Sequence, residues 1–218
     1  MADLRLRNTI IIPDPELRRL AGSGLYDVDR KFGYDTPKAY DRQIFANLRN
    51  AVITRLNIVA TQQSAPPHDL LLINRGASPA YYQSDQVAQK GSANLRRTVP
   101  NMAAIHAHLL AAGHHATIAE LETMPFRDQI GLFLSHRRVI AQHGAALANM
   151  LWMAPGAAII EIRPKTLILP RFAECFRLLA ECLGHRYALV EQDAPHAAVQ
   201  PNHVSAALNA ITQQTRQA

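Results

Sequence analysis

The chain has 218 residues, of which 48% are hydrophobic and 18% charged, and its formal net charge is +6. That length suits one sizeable domain with a real core, and the balance excludes a disordered chain. No apolar run reaches the roughly 18–20 residues that cross a bilayer, and the stretch MADLRLRNTIIIPDPE lacks the form of a secretory signal.

A cytoplasmic location is therefore expected. The basic excess makes the inner face of a membrane a compatible surface and favours anionic ligands. There is no Lys/Arg run, zinc-finger spacing or aromatic-basic interleaving, so a nucleic-acid binder is not expected. Cys175 and Cys182 sit seven apart in one helical pattern, too far along it for a disulfide, and read as free core thiols. No Cys/His spacing suggests zinc.

In chain order, Thr9 to Ile12 reads as a strand ended by Pro13, and Pro15 to Leu20 as a short helix in a loop-rich segment. From Lys38 to Asn57, Ile44, Leu48, Val52 and Leu56 recur every four residues and predict an amphipathic helix. A polar linker ends at Pro66-Pro67. Asp69 to Asn74 (DLLLIN) is a continuous apolar run, as in a strand buried on both faces, with Arg75 at its carboxyl end. A long polar loop, 76–95, carries Tyr81, Tyr82, Asp85 and Lys90, and Arg96-Arg97 close it. A helix is predicted over Val99–Ala112 with Gly113 as its stop, a weaker strand over His115–Leu121, and a helix over Pro125–Ser135.

The organising stretch is 138–164, RVIAQHGAALANMLWMAPGAAIIEIRP. A short apolar strand, a His143-Gly144 turn, a helix over Ala145–Met153, a Pro155-Gly156 stop and a second strand over Ala157–Ile162 form a βαβ unit. Such a turn at a helix start offers backbone N–H groups and a positive dipole end to a phosphate. A helix over Pro170–Leu183, a strand over Tyr187–Val190 and a last helix over Val204–Gln214, capped by Asn202, complete the chain.

From residue 69 on, strands and helices alternate strictly. The predicted fold class is α/β, a doubly wound Rossmann-like parallel sheet over 69–218, with 1–68 as a short N-terminal extension carrying an interdomain helix. Arg75, His143 and Arg163 fall just past predicted strand ends, where such sheets bind ligands. Gln142-His143-Gly144 is not GxGxxG, and there is no Walker A lysine and no GxSxG elbow. A dehydrogenase is not expected on that ground, and an α/β-hydrolase is excluded.

The string QHGAALANMLWMAPGAAIIEIRP resembles the C-terminal signature of glycosyltransferase family 61. That family includes capsular-polysaccharide-type, xylan-decorating and GlcNAc-transferring enzymes. Three upstream features agree in order: LLLINR through Arg75, an arginine followed four residues on by asparagine (Arg97 to Asn101), and FRDQIGLF with Gln129. GHRYALV follows as the end of the domain, so the resemblance covers about residues 69–190. Met102 stands where an acidic residue usually follows the asparagine.

The resemblance implies the C-terminal, donor-binding half of a GT-B fold and a metal-independent, inverting transfer from a UDP-sugar to a glycan or other hydroxyl acceptor. The binding residues it implies are Arg75, Arg97, Asn101, Gln129, His143, Gly144, Ala145, Asn149 and Glu161, with no metal and no cofactor. Cations and a helix N-terminus would then stabilise the departing diphosphate.

Plainer roles stand beside these. Glu161, inside an apolar strand, needs a buried partner or contacts a nucleotide hydroxyl, and Gln129 suits a helix-packing hydrogen bond. The general base is unassigned. Asp85 is the only carboxylate between Asp69 and Glu120. Family members carry a larger N-terminal domain, so the chain is expected to be a fragment or minimal form that draws on a partner domain or a second copy. The alternative is a truncated, non-catalytic nucleotide-binding or interaction module.

Overall fold

The structure is a computed structural model that describes residues 42–58, 70–77, 93–166 and 173–213. The strand at Thr9–Ile12, the helix at Pro15–Leu20, the linker before residue 68, and Tyr81, Tyr82, Asp85 and Lys90 lie outside the described residues.

Five strands form one parallel sheet in the order β2-β1-β3-β4-β5. They are β1 (Leu70–Asn74), β2 (Ala116–Glu120), β3 (Arg138–Gln142), β4 (Ala158–Pro164) and β5 (Arg186–Gln192). The chain moves outward from β1 to β2, then crosses back to place β3 on the other side of β1. The direction of winding therefore reverses between β1 and β3, and this reversal is where doubly wound sheets bind ligands.

Each central strand is buried on both faces, and its alternating side chains feed two cores. Leu71, Ile73, Val139, Ala141 and Ile159 face one layer. That layer holds α1 (Arg42–Arg55), α4 (Phe126–Leu134), a 3-10 helix (Ala145–Trp152) and α5 (Cys175–Cys182). Leu70, Leu72, Ile140, Ala158, Ile160 and Ile162 face the other, built on α3 (Met102–Ala111) and α6 (Pro201–Gln213). The expected interdomain helix supplies Phe45 and Val52 to the first core, so this part of the N-terminal segment packs on the sheet domain itself. A further one-turn helix, α2 (Ala93–Arg96), occupies the end of what the sequence reads as loop.

Three boundaries differ from expectation for physical reasons. The segment after His143-Gly144 is a 3-10 helix. The fully buried Leu147 and Met150 within it and Met153 just after it recur every third position, which matches three residues per turn. Its first bond runs from Leu147 N–H to the Gly144 carbonyl at 2.9 Å. Strand β4 continues to Pro164, because Arg163 pairs in register with Glu191 of β5, so Arg163 lies inside the strand. The last helix starts at Pro201, a residue suited to the first turn, which leaves Asn202 inside it. Among the described residues, no helix is long and apolar enough to cross a membrane.

Candidate active site

Strands β1 and β3 are neighbours with ends in step, Ile73 beside Ala141. The residues that follow them, Arg75-Gly76 and His143-Gly144, therefore emerge together at the winding reversal. Arg75 Nη2 donates to the His143 carbonyl at 3.0 Å. A Cβ on Gly144 would overlap Arg75 Nη2 outright and sit 3.5 Å from Arg97 Nη2, and the Gly144 φ is +156°. Only glycine lets the two guanidinium groups close over this turn. Arg75, Arg97 and Gly144, 22 and 47 residues apart along the chain, are thus one cluster.

The cluster is electrostatically unfavourable as it stands. Burial holds the Arg75 guanidinium below its usual pKa, with the charge of Glu122 opposing that shift. Arg97 is pushed down from its usual range to about 10, first by burial and then by the charges of Arg75 and Arg96, with the charge of Glu161 opposing the shift. Arg97 Nε is sealed from solvent with no hydrogen-bond partner, and among the described residues Arg97 makes no hydrogen bond or ion pair. Among the described residues this half-buried guanidinium, held beside a second, has no ion-pair partner, and the Glu161 charge only partly offsets the repulsion, an arrangement that suits a planar or tetrahedral oxyanion. The Ala145 and Ala146 amides precede the first bond of the 3-10 helix and lie beside the same turn.

A buried chain of hydrogen bonds lies behind the turn. His143, 5% exposed, holds Nδ1 at 2.5 Å from Glu161 Oε1. Glu161 is fully buried, and its Oε2 accepts from the Tyr187 hydroxyl at 2.7 Å. The Phe176 ring meets the imidazole edge-on, with centroids 5.0 Å apart. Both Glu161 oxygens are engaged inside the protein, so its partners are a histidine and a tyrosine. The sequence reading missed Tyr187 and Phe176. Tyr187 becomes relevant only through the β4–β5 register, which sets Glu161 against Leu189, two residues on.

The remaining sequence candidates hold hydrogen bonds within the protein. Asn101 Nδ2 donates to the Val199 carbonyl at 2.7 Å and its Oδ1 accepts from the Val199 N–H at 3.0 Å, so both ends of the amide tie α3 to the segment before α6. Gln129 Nε2 donates to the Leu121 and Met124 carbonyls at 3.1 and 2.9 Å. Asn149 Nδ2 donates to Gln129 Oε1 at 3.3 Å, and Asn149 Oδ1 accepts from Trp152 Nε1 at 3.0 Å. This second network clamps α4 to the 3-10 helix. Arg163 Nη1 is bonded to the Ala173 carbonyl, and lies 3.2 Å from Glu174 Oε1. Beyond Arg75, Glu120 and Glu122 converge on Gly76, and Glu122 Oε2 is sealed without a partner. Among the described residues, no three His, Cys, Asp or Glu side chains gather as a metal site.

A parallel sheet wound as 2-1-3-4-5 and flanked by helices is a Rossmann-like α/β domain, with the cationic glycine turn at its reversal point. The family model described as Glycosyltransferase 61 matches residues 30–160, more than half of the chain and including β1, β2, β3 and the His-Gly turn. The chain belongs to glycosyltransferase family 61, whose members move a sugar from a donor to an acceptor. No curated protein matches it.

Proposed function

We propose that this domain binds the diphosphate of a nucleotide-sugar, a UDP-sugar, at Arg75, Arg97 and the Gly144 turn, and transfers the sugar to a hydroxyl of a glycan. The observation that carries the reading is Arg97, a half-buried guanidinium beside a second one, whose Nε is sealed and which makes no hydrogen bond or ion pair among the described residues. In the transfer, the acceptor oxygen forms a bond to the anomeric carbon as the bond from that carbon to the phosphate oxygen breaks. The electron pair leaves with the nucleoside diphosphate, and the hydroxyl proton is released. The two guanidinium groups and the Ala145 and Ala146 amides are placed to take up the charge that develops on the leaving diphosphate. Attack on the face opposite the leaving group inverts the anomeric centre.

Cations at the leaving group support transfer without a metal. One Asp-x-Asp triplet, Asp27-Val28-Asp29, is present in the chain and lies outside the described residues, so chelation is part of the test. Asn101, with both amide ends on Val199, and the Gln129–Asn149 pair act on the donor indirectly, by holding the elements that frame it. A role in polysaccharide assembly on the cytoplasmic side of a membrane fits a basic chain. A partner domain or second copy would present the acceptor.

The test is nucleoside diphosphate release from UDP-, GDP- and CDP-sugars, with and without EDTA, by the wild type and Arg97→Met. Release from a UDP-sugar that survives EDTA and is lost in Arg97→Met is expected. Binding of UDP with no release from any donor would mark the domain as a non-catalytic nucleotide-binding module.

A further inference from the structure

Two buried glutamines link the strand ends to the backbone of Arg97. Gln142 ends β3 and Gln192 ends β5, with β4 between them. Gln142 is level with Ile162, and Ile162 with Val190, both in the core under α3 and α6. Side chains alternate along a strand, so Gln192, two residues beyond Val190, shares that face with Gln142. The two side chains are 2% and 1% exposed. Gln142 Nε2 donates to Gln192 Oε1 at 2.6 Å and to the Pro195 carbonyl at 3.3 Å. Gln192 Nε2 donates to the Thr98 and Ala197 carbonyls at 2.9 and 2.6 Å. Both N–H groups of Gln192 face carbonyls, so its oxygen is the end that meets Gln142, and the orientation of each amide follows.

The bonds converge on the residue after Arg97. Thr98 N–H donates to the Pro195 carbonyl at 2.8 Å, and the Thr98 carbonyl takes the bond from Gln192. Both peptide groups that flank Thr98 are therefore tied to the segment 192–195. The Arg97 guanidinium, in contrast, makes no hydrogen bond or ion pair among the described residues. Burial, Arg75 and Arg96 all disfavour its charge where it lies, with Glu161 a partial offset. Its place by Gly144 is thus set from the backbone end of the side chain. Gln142 Oε1 is sealed without a partner. That orphan acceptor costs stability, and an apolar side chain of like size would avoid the cost. What such a side chain lacks is the donors.

We propose that Gln142 and Gln192 are positioning residues for sugar transfer, whose linked amides hold the backbone at Thr98 and so keep the Arg97 guanidinium over Gly144 beside Arg75. The bearing on the donor rests on the diphosphate reading above. Asn101 joins the same two segments through Val199, four residues from Arg97 and with no bond to either glutamine. It is the control for a bond that only stabilises.

The experiment uses the whole chain and two measurements, calorimetric UDP titrations at low and raised salt and urea unfolding. Gln192→Met removes the donor to Thr98. Its UDP Kd should rise by roughly tenfold or more, the share of one charged contact. The salt dependence of that Kd should flatten as well, since one cation fewer meets the diphosphate. Asn101→Ala should leave both unchanged. In urea, Arg97→Met should raise the midpoint of the wild type and give no gain in the Gln192→Met background, where the guanidinium is already released from its buried place. A merely structural glutamine would leave that gain the same in both backgrounds.

An equal gain in both backgrounds, or an unmoved UDP Kd in folded Gln192→Met, overturns the proposal while leaving diphosphate binding intact. Should Gln192→Met fail to fold, Gln142→Met, which removes the bonds to Gln192 and Pro195, decides by the same two results. Absence of UDP binding in the folded wild type overturns the diphosphate reading, and this proposal with it.

Discussion

Replacing Arg97 with methionine should stabilise the ligand-free protein and abolish donor binding. The charged form of Arg97 is disfavoured by burial, by Arg75 and by Arg96, which against the pull of Glu161 bring its pKa down from the usual range to about 10. Each unit of that difference is worth about 1.4 kcal/mol. Arg97 is partly exposed, and solvent screening reduces the total to about 1–2 kcal/mol. The sign follows from linkage. A folded-state value below the unfolded one means that the folded state holds the proton less well, so the cost is fully present at every pH below about 10, including pH 7. Methionine keeps a long apolar stem, carries no charge and removes the sealed Nε. Urea unfolding at pH 7 should give a gain of about 1–2 kcal/mol, and a thermal midpoint higher by about 2–4 °C per kcal/mol. UDP at a hundred times its Kd should stabilise the wild type by about 2.7 kcal/mol and the variant not at all. A less stable Arg97→Met with undiminished UDP affinity would refute the reasoning, because Arg97 would then be a structural residue.

Three other outcomes separate site from scaffold. Gly144→Ala should displace Arg75 from the His143 carbonyl, at a cost of about 1.5–3 kcal/mol for a lost charged hydrogen bond, and weaken UDP binding at least tenfold in a calorimetric titration. Asn101→Ala removes both bonds to Val199 and should lower unfolding stability by about 1–3 kcal/mol with little change in UDP affinity. His185 donates from Nε2 to the Met150 carbonyl at 3.0 Å, its Nδ1 is sealed without a partner, and burial lowers its pKa from 6.5. The stability that it gives is complete above pH 6.5 and is lost as pH falls through its folded value. Urea midpoints should therefore decline toward pH 5 in the wild type and decline less in His185→Phe.

The sheet was largely legible in the sequence, because strands buried on both faces leave continuous apolar runs such as LLLI and AIIEI. The arginines at the site were legible as strand-end and loop-end residues, and the family signature drew His143 and Gly144 to them. Their convergence depends on β3 lying next to β1, which no local pattern encodes. The helix over Ala145–Met153 was legible as a helix, but its 3-10 type was not, because the three-residue spacing of Leu147, Met150 and Met153 gains meaning only once their burial is known. Asn101, Gln129 and Asn149 share the signature with the site, yet their hydrogen bonds go to Val199, to backbone carbonyls and to each other. Tyr187 was the opposite case, an unremarked strand residue whose hydroxyl reaches Glu161 26 positions away.

The most direct measurement is a paired calorimetric titration of the wild type with UDP and with uridine, at low and at raised salt. Two guanidinium groups gripping a diphosphate predict that UDP binds, that uridine binds at least a hundredfold more weakly, and that the UDP affinity falls as salt screens the charges. Uridine binding as tightly as UDP, or a UDP affinity indifferent to salt, would contradict the site.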